Sequence, residues 1–368
     1  MKNIYYKKIL LDMFDQAIQV SHPSNIMKKY IPEREPSGKV VIVGAGKGSA
    51  EMARAYEEEW YKKGYKELSG LVITRYGHKK ECKNIKIIEA SHPVPDEAGL
   101  KATMEVIKLI KTLKKEDLLV VLMSGGGSSL LVAPIDGVSL LEKQDLTNSL
   151  LKCGASISEI NSVRKHLSKV KGGHLASYAF PAKIITLAIS DVPGDDLGVI
   201  ASGPTYPDST TCLNALAVLK KYNISCSKNI YESLNSQVNE TPNKEDKIFA
   251  RSEFKLIAKP QQALLEAAKV SEKDIFSSLI LSDSIEGESN DIGKVHAAIV
   301  NQVNKFSQPA KAPLCILSGG ETTVTIKSLN GKGGRNTQFL LSLAIALGTT
   351  NNVYAIACDT DGIDGSES

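Results

Sequence analysis

Apolar residues recur along the opening segment at Leu10, Phe14, Ala17 and Ile18, the i, i+4, i+7, i+8 spacing of one helical face, so the segment is expected to be a helix packed on the main body. Past the prolines at 23, 32 and 36 the pattern changes. Residues 40–43 form a short β-branched run that ends in the loop 44–49, and Met52, Ala55, Tyr56 and Trp60 then return at helical spacing. That order predicts strand, tight loop, helix. Further continuous apolar runs at 71–73, 85–88, 118–123 and 184–189 alternate with helical stretches such as 97–113 and 158–178. Continuous rather than alternating apolar strands mean a parallel sheet covered on both faces.

Between 235 and 247 the chain turns polar and charged and loses every period, which marks a domain boundary. Beyond it the pattern predicts strand 254–258, helix 261–270, strand 276–281, helix 291–303, strands 314–317 and 323–326, helix 336–347 and strand 353–357. The expected organisation is an α/β protein. A Rossmann-like parallel-sheet domain occupies 1–235, a linker 236–250, and a smaller, incomplete second α/β domain 251–368. The last residues, 359–368, follow a predicted strand directly, where an open sheet places ligand-binding groups, so a covering segment is expected to be missing.

At 368 residues the chain is long enough for two domains, and 42% apolar with 23% charged residues describes a globular protein. A net charge of +4 is too small and too scattered for a nucleic-acid footprint. Six cysteines without a C-x-x-C pair suggest neither a disulfide framework nor a zinc site, and point to a reducing compartment. No apolar run approaches the 18 or so residues of a membrane span, and the N-terminus lacks a cleavage signal, so a cytoplasmic protein is expected.

Five polar, glycine-rich loops follow or lie between the predicted strands: 44–49, 124–129, 190–196, 318–321 with 331–336, and 359–365. In a parallel sheet such loops gather at the carboxyl edge and can line one cleft. Gly44, Gly46 and Gly48 let backbone approach a ligand, the helix start behind them favours an anion, and Lys47 adds a full charge. Ser49 stands where a dinucleotide fingerprint needs glycine, and Walker A is not matched either. Structural turns read the same way. Ser124, Gly125, Gly126, Gly127 and Ser128 repeat the logic of an oxyanion or phosphate cradle and are not a Gly-x-Ser-x-Gly elbow. Asp191, Asp195 and Asp196 offer hard oxygen ligands suited to Mg2+, against the alternative of ordinary turn chemistry. Asp359, Asp361 and Asp364 fail the calcium-hand spacing. Arg335, the sole Arg after Arg251, lies in a glycine loop beside Asn336, which reads as the N-cap of the next helix. His92 sits in a turn able to touch substrate, whereas His166 and His174 read as structural.

Together these loops resemble the type II glycerate kinases, the glycerate 2-kinase family whose C-terminal part is the MOFRL domain and whose members are often labelled hydroxypyruvate reductase. The matching stretches are 41–49, 91–99, 122–129, 159–168, 190–196 with 201–205, 318–323, 331–336 and 359–365, in order along nearly the whole chain. The resemblance implies an ATP- and Mg2+-dependent kinase acting on the 2-hydroxyl of D-glycerate, with the two domains facing each other across a cleft. It implies Lys47, Arg335 and Asp191 as catalytic, Asp191, Asp195 and Asp361 toward the metal, and Glu321 and Asn336 beside His92 and the glycine loops at the substrate. Two departures stand out: Ala258-Lys259-Pro260 replaces a small polar turn, and the family continues by several tens of residues past Gly365. The expected partners are glycerate and ATP, with no nucleic acid and no membrane; a homodimer is left open. The rival readings are an NAD(P)H-dependent hydroxypyruvate reductase, in which Arg75 reads a 2′-phosphate, and a truncated remnant that keeps the fold without turnover.

Overall fold

The computed structural model describes residues 2–273, 276–326, 331–360, 362 and 364–365. Six strands form the main sheet: β1 (Val40–Ala45), β2 (Ser69–Arg75), β3 (Ile85–Ala90), β4 (Leu118–Met123), β5 (Lys183–Ile189) and β6 (Ser252–Ala258). Their order is β3-β2-β1-β4-β5-β6, and β1 to β5 pair in parallel. Every residue of β1 and β4 is buried, the burial that the continuous apolar runs predict for central strands covered on both faces. Each Val, Ile, Leu or Met side chain among them contributes about 1.5–3 kcal/mol of transfer free energy, so these two strands are the centre of the core. The chain runs outward from β1 to β3 and then crosses back to β4. That reversal creates a topological switch point between the carboxyl ends of β1 and β4.

Gly44 fixes how closely the two central strands approach. A Cβ at this position would lie 2.2 Å from the carbonyl oxygen of Leu122 in β4. Gly44→Ala is therefore expected to destabilise the fold by about 3 kcal/mol, the upper range for overpacking a core, with equilibrium urea unfolding as the measure. A second apolar cluster, including Leu146, Leu150, Ile160, Leu167, Ala215 and Leu234, joins the helices Leu140–Lys152, Ile157–His166, Cys212–Lys221 and Lys228–Asn235. Three of these helices begin with reciprocal capping boxes, at Ser139/Glu142, Ser156/Glu159 and Thr211/Asn214. The helix expected over 158–178 is two helices, Ile157–His166 and His174–Ala179. Gly172 and Gly173 break it at φ +56° and +87°, left-handed values that glycine adopts without the Cβ penalty.

The chain divides into two compact units, one of Ile26–Ser190 with Asp195–Ile257, the other of Met1–Asn25, Asp191–Gly194 and Ala258–Ser368. This division differs from boundaries at 235 and 251. The opening helix, Lys2–Ser21, belongs with the C-terminal part, where Ile9 and Met13 are buried with Ala267, Ala268 and Leu317. An amphipathic face specifies that it must be covered and not by what. The smaller unit holds a two-stranded parallel sheet, β7 (Ser277–Glu288) and β8 (Leu314–Thr323), with helices Pro260–Glu272, Ser289–Phe306 and Arg335–Leu347. Both strands run further than the apolar runs 276–281 and 314–317 suggested. Backbone pairing carries β7 through polar residues to Glu288 and β8 through Gly319 and Gly320, past register shifts between Ile280 and Ile285. Of the strand expected at 323–326 only Thr323 is paired, as the end of β8, and the strand expected at 353–357 is not formed, because apolar β-formers alone do not supply a pairing partner. Among the described residues no helix is long and apolar enough to cross a membrane.

Candidate active site

At the switch point the loops after β1 and β4 are bonded crosswise. Lys47 N–H donates to Gly125 O at 2.8 Å, Gly48 N–H to Ser124 Oγ at 3.0 Å, and Ser124 N–H to Ala45 O at 3.3 Å. Ser49 Oγ donates to Leu122 O at 3.1 Å and lies 3.2 Å from Ser124 Oγ. Ser49 and Ser124 are buried, so the structure makes them a staple between the loops rather than groups offered to a ligand. Gly46, at φ +147°, has no room for a side chain, since a Cβ would meet Ser124 Oγ at 2.1 Å. Gly44 and Gly127 are likewise scaffold, each pressed on the backbone of a neighbouring element.

What remains partly exposed is the candidate ligand surface: Lys47, Gly48, His92, Gly125, Gly126 and Ser128. Gly126 (φ +78°) brings the third loop in, because a Cβ there would lie 2.7 Å from His92 Cδ2 and 3.4 Å from Lys47 Cγ. Three segments far apart in sequence thus meet at one edge of the sheet. Asp96 secures the His92 loop by accepting from Gly99 N–H at 2.9 Å and from Tyr76 Oη–H at 2.8 Å. Gly48 is the N-cap of the helix Ser49–Lys62 and supplies no side-chain cap, so the positive end of the helix faces this loop. A surface opening of about 440 Å³ lined by Lys39, Trp60 and Asp117 lies at the amino ends of β1 and β4, the opposite edge, away from this chemistry.

Beyond β5, Asp195 holds a left-handed conformation at φ +56°, and Asp196 Oδ1 accepts from Gly198 N–H at 2.8 Å within the turn. Carboxylate oxygens are the donor class that Mg2+ prefers, so Asp191 and Asp195 fit such an ion by chemistry, while Asp361 lies outside the described residues. Among those residues, one group of His, Cys and carboxylate atoms lies within 4.8 Å of one another: His166, Cys212 and Glu240. Its hydrogen bonds are structural. His166 bonds Ser162 O through Nδ1 and Thr241 Oγ1 through Nε2, and Glu240 accepts from Cys212 N–H.

In the smaller unit Arg335 opens the helix Arg335–Leu347, its guanidinium 2.7 Å from Glu321 Oε1 and 3.6 Å from Asp359 Oδ2. Glu321, expected at the substrate, is thus a partner of Arg335. Asn336 is not the N-cap. That position is Gly334, and the capping acceptor is Asp364, which takes hydrogen bonds from Asn336 N–H (3.1 Å), Thr337 N–H (2.9 Å) and Thr337 Oγ1–H (2.8 Å). In the sequence Asp364 stands out only as a member of the failed calcium spacing with Asp359 and Asp361. The signal was Gly334, where a Cβ would lie 2.4 Å from Asp364 Oδ1. Desolvation raises the Asp364 pKa, but the hydrogen bonds from Thr337 and Asn336 outweigh it and hold the carboxyl below its ordinary 3.8. Because the folded pKa is the depressed one, this stabilisation is complete above the ordinary carboxylate range and is lost as the pH falls beneath it. Asp364→Ala is expected to cost about 1 kcal/mol at neutral pH, with the difference from the parent shrinking in acid unfolding curves.

A doubly wound sheet with a Lys-bearing glycine-loop cluster at its switch point defines an α/β protein of the class that places ligand sites at the carboxyl edge. Residues 9–235 match a family described as a domain of unknown function, DUF4147, and residues 314–368 match the MOFRL family. The chain is 47% identical to a putative hydroxypyruvate reductase of Agrobacterium vitis over 98% of its length and 81% of that protein. It is 42% identical to D-glycerate 2-kinase of Thermotoga maritima over 98% of its own length and 84% of that protein. The crystal structure of a Thermotoga maritima glycerate kinase superposes with a TM-score of 0.82 at 40% identity, covering 94% of this chain and 81% of the other. The chain belongs to the type II glycerate kinase family, with DUF4147 and MOFRL parts.

Proposed function

We propose that the protein transfers the γ-phosphoryl group of ATP to the 2-hydroxyl of glycerate. The observation that carries this is the loop cluster at the switch point, where Lys47 offers positive charge and, among the described residues, the N–H groups of Gly125, Gly126 and Ser128 are left over by the hydrogen bonds that tie the β1 loop to the β4 loop. Family membership supplies the reaction. In the step, the glycerate oxygen forms a bond to phosphorus, the bond from phosphorus to the β-phosphate oxygen breaks, and the hydroxyl proton leaves to a carboxylate or water. Lys47 neutralises charge on the phosphoryl oxygens, Arg335 does so in the transition state, and Asp191 orients the hydroxyl. His92 and the Lys47 stem both lie against Gly126, which brings the three loops together around the proposed phosphate. Asp191 and Asp195 would hold Mg2+, which would supply charge neutralisation to the transferring phosphate. Asp359 and Glu321 keep the guanidinium of Arg335 oriented.

The test is ADP release with D-glycerate, coupled through enolase so that only 2-phosphoglycerate gives signal. A purified protein that binds ATP yet forms no 2-phosphoglycerate would leave the remnant reading. Oxidation of NADPH by hydroxypyruvate would instead support the reductase reading, which the names of two relatives favour and the buried Ser49 at the third fingerprint position opposes.

A further inference from the structure

Behind the Ser128 end of the β4 loop lie three cationic side chains, Lys171, Lys143 and Arg164, none of which pairs with a carboxylate among the described residues. Lys171 is 2% exposed and donates to Ser128 O, to Ser128 Oγ at 3.2 Å and to Leu131 O at 3.2 Å, all neutral acceptors. Lys143, also buried, donates to Leu167 O at 2.7 Å and Arg164 O at 3.4 Å. Arg164 is largely buried, and among the described residues its guanidinium has no hydrogen-bond or ion-pair partner. The three charges act on one another. Burial first, then Arg164, pushes Lys143 down to about 7, and burial with Lys143 and Arg164 pushes Lys171 well below its ordinary value. Clustered buried cations with no carboxylate among them are costly unless an anion completes the set.

The surroundings are polar and built. Ser128 Oγ lies 2.8 Å from Ser202 Oγ, and Ser202 Oγ–H reaches Asn161 Oδ1 at 3.5 Å, on the same helix face as Arg164 three residues later. Ser202 is delivered by a strained turn, with Ala201 at φ +51° and Ser202 at +62°, left-handed values that non-glycine residues adopt only where the surroundings enforce them.

We propose that Arg164 binds the carboxylate of the hydroxy-acid acceptor, backed by Lys171 and the Ser128–Ser202 hydroxyl pair. This rests on the kinase reading and names the group that selects an acid over a neutral alcohol. A planar guanidinium matches the two oxygens of a carboxylate, whereas the Lys47 cradle of backbone donors suits a phosphate. No part of the sequence reading singled out Arg164, although it is one of six arginines and lies inside the matching stretch 159–168.

Arg164→Gln is expected to raise KM for D-glycerate roughly 10- to 100-fold, the value of a charged hydrogen-bonded pair, while KM for ATP stays within about twofold. The preference for D-glycerate over its neutral amide, glyceramide, should collapse by the same factor, and Arg164→Lys should restore part of it. Calorimetric titration of D-glycerate into nucleotide-free protein reads the same site without turnover, with binding in the wild type and none in Arg164→Gln. Wild-type protein that does not form 2-phosphoglycerate defeats the kinase reading, yet the titration still decides the anion site. An unchanged KM for glycerate, a rise in KM for ATP instead, or equal turnover of acid and amide by the wild type would overturn the proposal. If Arg164→Gln does not fold, the Arg164→Lys variant and the wild-type acid-to-amide ratio carry the decision.

Discussion

Lys47→Met is expected to lower kcat for glycerate phosphorylation roughly 10²- to 10³-fold, the cost of removing one preorganised charge or donor from a developing phosphoryl centre. The melting temperature should stay within a few degrees of the parent. The reason is that residue 47 serves the fold through its backbone: its N–H bonds Gly125 O and its carbonyl accepts from Thr74 Oγ1 at 3.3 Å. Neither contact needs the ammonium. Methionine keeps an unbranched stem of similar reach beside Gly126, so the substitution removes charge with little change in packing. Gly126→Ala would not separate the two roles, since its Cβ collides with His92 at a left-handed backbone. If Lys47→Met retained more than a third of parental kcat, the cradle would be a structural turn.

The sequence made the central sheet legible because β1 and β4 are buried on both faces, and burial on both faces leaves one readable signature, an unbroken apolar run. The glycine loops were legible for a related reason. Gly46 and Gly126 stand where a Cβ would strike a neighbouring loop, so the residue type itself reports the close approach. What escaped detection depended on partners remote in sequence. The helix Lys2–Ser21 shows an apolar face, yet only the fold reveals that it lies against the helix Pro260–Glu272. Ser49 and Ser124 look like ligand-binding hydroxyls until their mutual hydrogen bond is seen. Asp364 and Arg164 are ordinary in any window, and each acquires meaning from what surrounds it: a helix start in one case, uncompensated cations in the other.

Arg335→Ala is expected to lower kcat by about 10³-fold or more, in the range of arginines that neutralise a transferring phosphoryl group. Arg335→Lys should recover little of it, because an ammonium cannot reproduce two directed N–H donors. The ion pairs make a ranked prediction. Glu321 and Asp359 contact different nitrogens of the guanidinium, at 2.7 and 3.6 Å, and are 48% and 13% exposed. The exposed Glu321 pair contributes on the order of 1 kcal/mol or less to stability, and the Asp359 contact at 3.6 Å is longer than a hydrogen bond. Their effect is on orientation: Asp359→Asn and Glu321→Gln should each lower kcat by no more than about tenfold, leaving the charge of Arg335 in place. Arg335→Ala combined with either should be no worse than Arg335→Ala alone, since a positioning residue has nothing left to position. Full additivity in that double-mutant cycle would show that the carboxylates act on the reaction independently of Arg335, and near-parental kcat in Arg335→Ala would remove it from the reaction altogether.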